Sequence, residues 1–147
     1  MKVMLTGAGG QLGQALIATK PAVLGDQVFK LMACTRSELD LSNLSDCKDV
    51  VDKHLPDWII NAGAYTAVDK AQHEPDLARI VNVDAPATLA KQLALRGGRM
   101  LQLSTDFVFN GVQCTPYLPS QAATPISIYG QTKAESEAAV LGALGDR

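Results

Sequence analysis

Apolar positions along this chain change period several times, and the changes mark out alternating strands and helices. Lys2 to Thr6 is a short apolar run ending at a glycine cluster, as a buried strand does. Gln11 to Thr19 then carries Leu12, Ala15, Leu16 and Thr19 at helical spacing, and Lys20-Pro21 stops it. Val28 to Cys34 reads as a second strand. Ser42 to Leu55 is amphipathic, with Cys47, Val50, Val51 and Leu55 on one face and Ser42 or Ser45 available as N-cap. Asp57 to Asn61 holds Trp58-Ile59-Ile60, the pattern of a strand buried on both faces. From Pro75 to Leu95, Leu77, Val81, Ala85, Leu89 and Leu93 repeat every four residues. One long helix is expected there, opened by Pro75, kinked at Pro86 and ended by Gly97-Gly98. Arg99 to Ser104 reads as another strand, Asn110 to Ser127 as a loop rich in Pro, Gly, Ser and Gln, and Tyr129 to Leu144 as the last helix.

Strands alternating with helices imply right-handed βαβ crossovers and a mostly parallel sheet, an α/β fold of the doubly wound Rossmann type. Ligands of such sheets sit outside the carboxyl ends of the strands. The glycine-rich and polar clusters of this chain all fall at such ends.

Composition narrows the classes further. The chain has 147 residues, 47% of them hydrophobic and 19% charged, with a net charge of −2. That is one ordinary globular domain, not a disordered or fibrous chain. Basic residues do not cluster, so no nucleic-acid partner is expected. No apolar run approaches the ~18 residues of a membrane span, so no membrane partner is expected. The N-terminal apolar run is too short for a secretion signal. The three cysteines, Cys34, Cys47 and Cys114, form no CxxC and cannot all pair, which fits reduced thiols in the cytoplasm. His54 and His73 have no cysteine at ligand spacing, and no metal site is expected.

The segment Thr6-Gly7-Ala8-Gly9-Gly10-Gln11-Leu12-Gly13 follows the first strand and opens the first helix. Gly7 can take the tight turn, Gly10 lets backbone approach a pyrophosphate, and Gly13 lets helix and sheet pack closely. Free N–H groups at the helix start would face the phosphates. A merely glycine-rich turn is the alternative. At the end of the second strand stand Cys34, Thr35 and Arg36, with Glu38 the first acid. Arg36 could hold a 2′-phosphate, favouring NADPH or dual use with NADH, or it could be a solvated surface arginine.

Tyr129 and Lys133 lie at i,i+4 on one helix face. An ammonium beside a phenol favours the phenolate, and such a phenol can give a proton to a carbonyl oxygen. A chance surface pair is the alternative. Thr105, within Ser104-Thr105-Asp106 at a strand end, offers a hydroxyl to the same oxygen or a simple cap. The small residues of Asn61-Ala62-Gly63-Ala64-Tyr65-Thr66 would let backbone approach a cofactor. Asn82 could hold backbone or water near the lysine, or be an ordinary polar helix position.

Together these segments resemble the extended short-chain dehydrogenase/reductases. They are most similar to the dTDP-4-dehydrorhamnose reductase branch. The glycine loop, Asn61 to Ala71, Ser104 to Gly111 and Tyr129 to Lys133 carry the resemblance, and the AYTAVDKA stretch is the most specific. It implies NAD(P)H-dependent reduction of the 4-keto group of dTDP-4-dehydro-6-deoxy-L-mannose to dTDP-L-rhamnose, with a dTDP-sugar as substrate partner. It implies Thr105, Tyr129 and Lys133 as catalytic triad. Tyr129 is then the proton donor, Lys133 holds the nicotinamide ribose and Thr105 binds the reacting oxygen. Gly10, Gln11 and Leu12 would line the pyrophosphate and Arg36 the adenosine side. Asp40 and Leu41 would flank the adenine, and Ala62, Ala64 and Tyr65 would border the cofactor. Glu38 to Leu41 would be a brief extra strand.

Two departures from the family stand out: Pro116 to Gln121 lacks the usual acids, and Ser136-Glu137 replaces Gly-Glu. The family's sugar-nucleotide pocket comes mostly from a C-terminal half. Residues 1–147 are therefore expected to be one incomplete NAD(P)-binding domain, a fragment ending before the last strands and the substrate subdomain. Alone it would bind cofactor without turnover. A non-catalytic nucleotide-binding or regulatory subunit on the same scaffold is the alternative function, and a homodimer is left open.

Overall fold

The computed structural model describes residues 1–145. Asp146 and Arg147, the end of the expected domain, lie outside the described residues. The elements are β1 (Lys2–Thr6), α1 (Gln11–Thr19), β2 (Val23–Leu24), β3 (Gln27–Val28), β4 (Lys30–Cys34), α2 (Leu44–His54), β5 (Trp58–Asn61), α3 (Val68–Ala71), α4 (Pro75–Arg79), a π-turn (Ile80–Asp84), α5 (Ala85–Ala94), β6 (Arg99–Gln102), a 3₁₀ turn (Asp106–Val108) and α6 (Ile128–Leu144).

Four parallel strands form one sheet in the order β4-β1-β5-β6. The chain steps outward from β1 to β4 and then crosses back over β1 to β5. The topological switch point therefore lies between β1 and β5. In register across the sheet, Met32, Met4, Ile59 and Met100 form one apolar row. This row packs with Cys47 and Val51 of α2, Ala85, Leu89, Ala90 and Leu93 of α5, and Val140 and Leu144 of α6. That single cluster is the core. The first helix, α1, contributes nothing to it. A right-handed crossover puts α1 on the opposite face, where the sheet is doubly wound as expected. Leu101 of β6, a strand at the edge of the sheet, is 52% exposed. Among the described residues no helix is long and apolar enough to cross a membrane.

Several boundaries differ from the sequence expectation, each for a physical reason. Val28 does not open the second strand. It ends a small antiparallel hairpin, β2–β3, and β4 starts at Lys30. The cap of α2 is Asn43, whose Oδ1 accepts the Ser45 N–H, rather than Ser42 or Ser45. Ser42 is unavailable because its N–H and hydroxyl both donate to Asp40. Glu38 to Leu41 forms no strand. Glu38 accepts the N–H and hydroxyl of Thr35, and Asp40 accepts those of Ser42, so the segment turns twice while Leu39 and Leu41 sink into the core. The fourth sheet strand ends at Gln102, not Ser104, and the last helix begins one residue early, at Ile128.

The long helix is three pieces. Pro86 has no N–H to give to the carbonyl four residues back, and its ring crowds that carbonyl. The preceding turn widens into the π-turn Ile80–Asp84. This is where the expected kink is relieved, one turn ahead of the proline itself.

Candidate active site

The glycine loop joins β1 to α1 at the switch point. Gly7 has φ of +66°, a left-handed conformation that side chains resist. A Cβ there would also lie 2.6 Å from the Gly63 nitrogen, so the loops after β1 and β5 touch backbone to backbone. A Cβ on Gly13 would lie 2.3 Å from the Gly7 carbonyl oxygen, which lets α1 start hard against the loop. Gly10 is the N-cap of α1 and has no capping side chain. The first amides of α1, Gln11, Leu12 and Gly13, therefore have no carbonyl partner inside the helix. Gln11 and Leu12 are exposed, while Gly13 is buried.

A cleft of about 310 Å³ opens beside this loop. Of the expected residues it gathers Gly7, Arg36, Asp40, Leu41, Ala64 and Tyr65. Its apolar wall is Leu39, Leu41, Leu77 and Val81. Gly10, Gln11, Leu12, Gly13, Ala62, Thr105, Tyr129 and Lys133 are not part of its lining. Arg36 is a rim residue, 81% exposed at its side chain and 3.6 Å from Asp40. Two hydrogen bonds from Ser42 hold the Asp40 carboxyl below the usual carboxylate range, with Arg36 adding to them.

Pattern reading did not single out Lys70, Glu74, Leu77 and Val81 as cleft residues. Tyr65 Oη donates to Glu74 at 2.7 Å, and Lys70 pairs with Glu74 at 2.9 Å. Accepting those bonds pulls the Glu74 carboxyl down, and donating to Glu74 pushes the Tyr65 phenol up. The i,i+4 spacing of Lys70 and Glu74 was the available signal; the turn that brings Tyr65 over them was not.

Asn82, 1% exposed, connects this cleft to α6. Its Oδ1 accepts the Tyr65 N–H at 2.8 Å. Its Nδ2 donates to the Tyr65 carbonyl and to Thr132 Oγ1, both at 3.1 Å. Thr132 in turn donates to the Tyr129 carbonyl at 2.9 Å.

A second polar line crosses the carboxyl ends of the strands. The Gly63 N–H donates to Thr6 Oγ1, and Thr6 donates to Asn61 Oδ1. Asn61 Nδ2 donates to Gln102, and Gln102 Nε2 donates to the Leu103 carbonyl. Lys133 Nζ donates to that same carbonyl. The register Thr6–Asn61–Gln102 makes this possible, since parallel neighbours stand side by side. Lys133 is 3% exposed, and burial pulls its ammonium below the ordinary lysine range while Glu137 partly opposes the shift.

Tyr129 and Lys133 share a face in the first turns of α6. Tyr129 is half-buried, edge-on to Phe107 with ring centroids 5.6 Å apart. Thr105 caps the 3₁₀ turn, its Oγ1 accepting the Phe107 N–H at 3.2 Å. Phe107 thus sits between the two expected groups: its backbone is fixed by Thr105 and its ring packs on Tyr129. In this arrangement the ammonium bonds the Leu103 carbonyl rather than the phenol.

Known proteins similar to this chain in sequence and shape point to one family. The dTDP-4-dehydrorhamnose reductase of Burkholderia thailandensis is 40% identical over 146 residues, 99% of this chain and 47% of its own. That of Mycolicibacterium smegmatis is 39% identical, covering 99% of this chain and 43% of its own. Among solved structures, the dTDP-4-dehydrorhamnose reductase of Clostridium acetobutylicum superposes with a TM-score of 0.89 at 33% identity, over 97% of this chain and 50% of that one. The Bacillus anthracis enzyme, solved in complex with NADP, gives 0.87 at 34% identity, over 97% and 49%. This chain thus spans about half the length of the relatives it matches. The family model of the RmlD substrate binding domain matches residues 1–146, and the chain belongs to that family.

Proposed function

We propose that this chain is the dinucleotide-binding part of an NAD(P)H-dependent reductase that converts the 4-keto group of a dTDP-4-dehydro-6-deoxysugar to an alcohol, as in dTDP-L-rhamnose formation. The observation that carries the reading is the pairing of two features at one sheet edge. One is the backbone cradle where Gly7 meets Gly63; the other is the Thr105–Tyr129–Lys133 group at the ends of β6 and α6. The names of the relatives support the substrate class.

A reduced nicotinamide dinucleotide fits the residues present. At Gly7 and Gly13 a side chain would fill the space where backbone must approach, and the apolar slot between Leu41 and Val81 suits a flat ring. Gly10, Gln11 and Leu12 line the pyrophosphate, while Gly7 makes the turn and Gly13 the close start of α1 that shape its cradle. Arg36, Asp40 and Leu41 hold the adenosine end, and Ala62, Ala64 and Tyr65 border the centre. When bound, the dinucleotide supplies the hydride. Tyr129 gives its phenolic proton to the substrate's carbonyl oxygen, which becomes the new hydroxyl. Thr105 donates a hydrogen bond to that oxygen as negative charge grows there. Lys133 stabilises the phenolate left behind and takes the nicotinamide ribose hydroxyls.

Arg36, tied loosely to Asp40 and open to solvent, favours NADPH without excluding NADH. Cytoplasmic residence belongs to the same reading, supported by the free thiols of Cys34, Cys47 and Cys114. Whether two copies pair as a homodimer is read by sedimentation. Calorimetric titration of the chain with NADPH and NADH tests the whole proposal. Saturable heat is expected with both, and no heat at millimolar ligand with either overturns it.

A further inference from the structure

Ser104 and Glu137 bond each other one residue and one helical turn away from expected catalytic groups. Ser104 Oγ donates to Glu137 Oε1, while the adjacent Leu103 carbonyl accepts Lys133 Nζ. Leu103, Ser104 and Thr105 are consecutive, and Lys133 and Glu137 are i,i+4 on α6. Two neighbouring residues of the strand end therefore grip two neighbouring positions of one helix face. The third residue of the strand end is Thr105.

We propose that Ser104 and Glu137 are a positioning pair, a clamp that fixes the Leu103–Ser104–Thr105 segment on α6 and so holds the Thr105 hydroxyl in register with Tyr129 and Lys133. The inference rests on the reductase reading above and adds residues to it.

The alternative to the clamp is a loose strand end. β6 ends at Gln102, and the next regular element is a single 3₁₀ turn. Leu103 is still anchored by its N–H on the Asn61 carbonyl, but Ser104 is exposed and has left the ladder. Without Glu137, the strand end would still touch α6 on either side of Thr105, through the Leu103 carbonyl on Lys133 before it and through Phe107 against Tyr129 and Gly130 after it. Between those two points, the register of Thr105 would be set only by its local turn bonds to Asp106 and Phe107. The carboxylate is well suited to the task because a hydrogen bond to a charged acceptor is stronger than a neutral one. Glu137 also sets its charge near the buried ammonium of Lys133, which leaves that ammonium better stabilised than burial alone would.

The test is a double-mutant cycle on the chain itself, with Ser104→Ala, Glu137→Ala, both together, and Glu137→Gln. NADPH affinity is read by fluorescence and global stability by thermal melting. Each single alanine variant is expected to weaken NADPH binding about 5-fold, the worth of about one ordinary hydrogen bond, because the loosened strand end also carries the Leu103 carbonyl that holds Lys133, the residue read as taking the nicotinamide ribose. The double variant should be no weaker than the worse single, because both remove one interaction. Glu137→Gln should stay within about 2-fold of wild type, since its amide oxygen still accepts the Ser104 hydroxyl. Melting temperatures should fall by only a few degrees in each single variant, and no further in the double. Additive single effects, or Glu137→Gln as weak as Glu137→Ala, would overturn the clamp. A wild-type chain that binds no NADPH counts against the reductase reading instead. The clamp is then read in the ligand-free chain by hydrogen exchange at the Phe107, Val108 and Phe109 amides. Both single variants should speed that exchange, and unchanged exchange overturns the clamp.

Discussion

Replacing Asn82 by alanine should uncouple the cleft from α6 at a cost the structure lets us work out. The side chain makes three hydrogen bonds at 2.8 to 3.1 Å in a nearly dry environment. Two of them hold the N–H and carbonyl of Tyr65, and one holds Thr132. At about 1 kcal/mol net for each bond, the loss is about 3 kcal/mol. Thr132 keeps its own bond to the Tyr129 carbonyl, so little more is lost at that end. For a domain of this size about 3 kcal/mol corresponds to a fall of roughly 6–12 °C in melting temperature. Thermal melting and urea unfolding should agree, with the urea midpoint falling and the m-value unchanged. NADPH affinity should fall as well, because Tyr65 lines the cleft. Asn82→Asp should not restore stability: it keeps an acceptor for the Tyr65 N–H but sets a carboxylate against the Tyr65 carbonyl. A stability loss under about 1 kcal/mol would refute the reasoning, since it would mean that water satisfies Tyr65 as well as Asn82 does.

Gly13→Ala should destabilise the chain by about 1–3 kcal/mol in urea unfolding, because the new Cβ meets backbone that cannot move aside. Gly9→Ala, with nothing within 4 Å, should be close to neutral. Ser136→Ala should raise stability by about 1 kcal/mol, since the buried Ser136 hydroxyl has no hydrogen-bond partner among the described residues and alanine is the better helix former. Lys133→Met should raise the melting temperature at neutral pH while weakening NADPH binding: the buried ammonium is lost, and Gln102 still satisfies the Leu103 carbonyl. Because burial holds the Lys133 pKa below its unfolded value, the unfolded chain keeps the extra proton between the two values. Stability in that alkaline window should therefore rise with pH in the wild type, and this contribution should vanish in Lys133→Met. Tyr129→Phe, by contrast, should leave the NADPH dissociation constant within about 2-fold, since the phenol is needed only as charge develops on the reacting oxygen.

Patterning made most of this architecture readable. The parallel sheet was legible because Lys2–Thr6 and Trp58–Asn61 are continuous apolar runs that only a sheet covered on both faces accommodates. Gly7 and Gly13 were legible because each occupies a place where a Cβ collides with backbone. What stayed hidden depended on side chains competing for backbone. The carboxylates of Glu38 and Asp40 captured nearby N–H groups and turned a segment that the family resemblance assigned to a strand. The β2–β3 hairpin has strands of two residues with exposed faces, too short for any period to register. In the site, Tyr65 over Glu74 and Ser104 on Glu137 join residues 9 and 33 positions apart, and no strand or helix period encodes such pairs.

The π-turn before Pro86 also sets a phase. Each residue of an α-helix advances the side-chain direction by about 100°. The wide turn Ile80–Asp84 therefore offsets α4 from α5 by close to one residue step. Leu77 and Leu89 are twelve residues apart, and a regular helix would turn their side chains about 120° away from each other. The lag of the wide turn takes back most of that angle, so the cleft wall at Leu77 and Val81 runs on nearly in line with the core positions Leu89 and Leu93, and Val81 packs against the core as well. A four-residue apolar repeat, which drifts by about 40° per step on an ideal helix, is thereby kept closer to one stripe. One imino acid, by refusing one hydrogen bond, thus lets a sequence with the wrong period for a straight helix lay a single apolar seam from the cleft to the core.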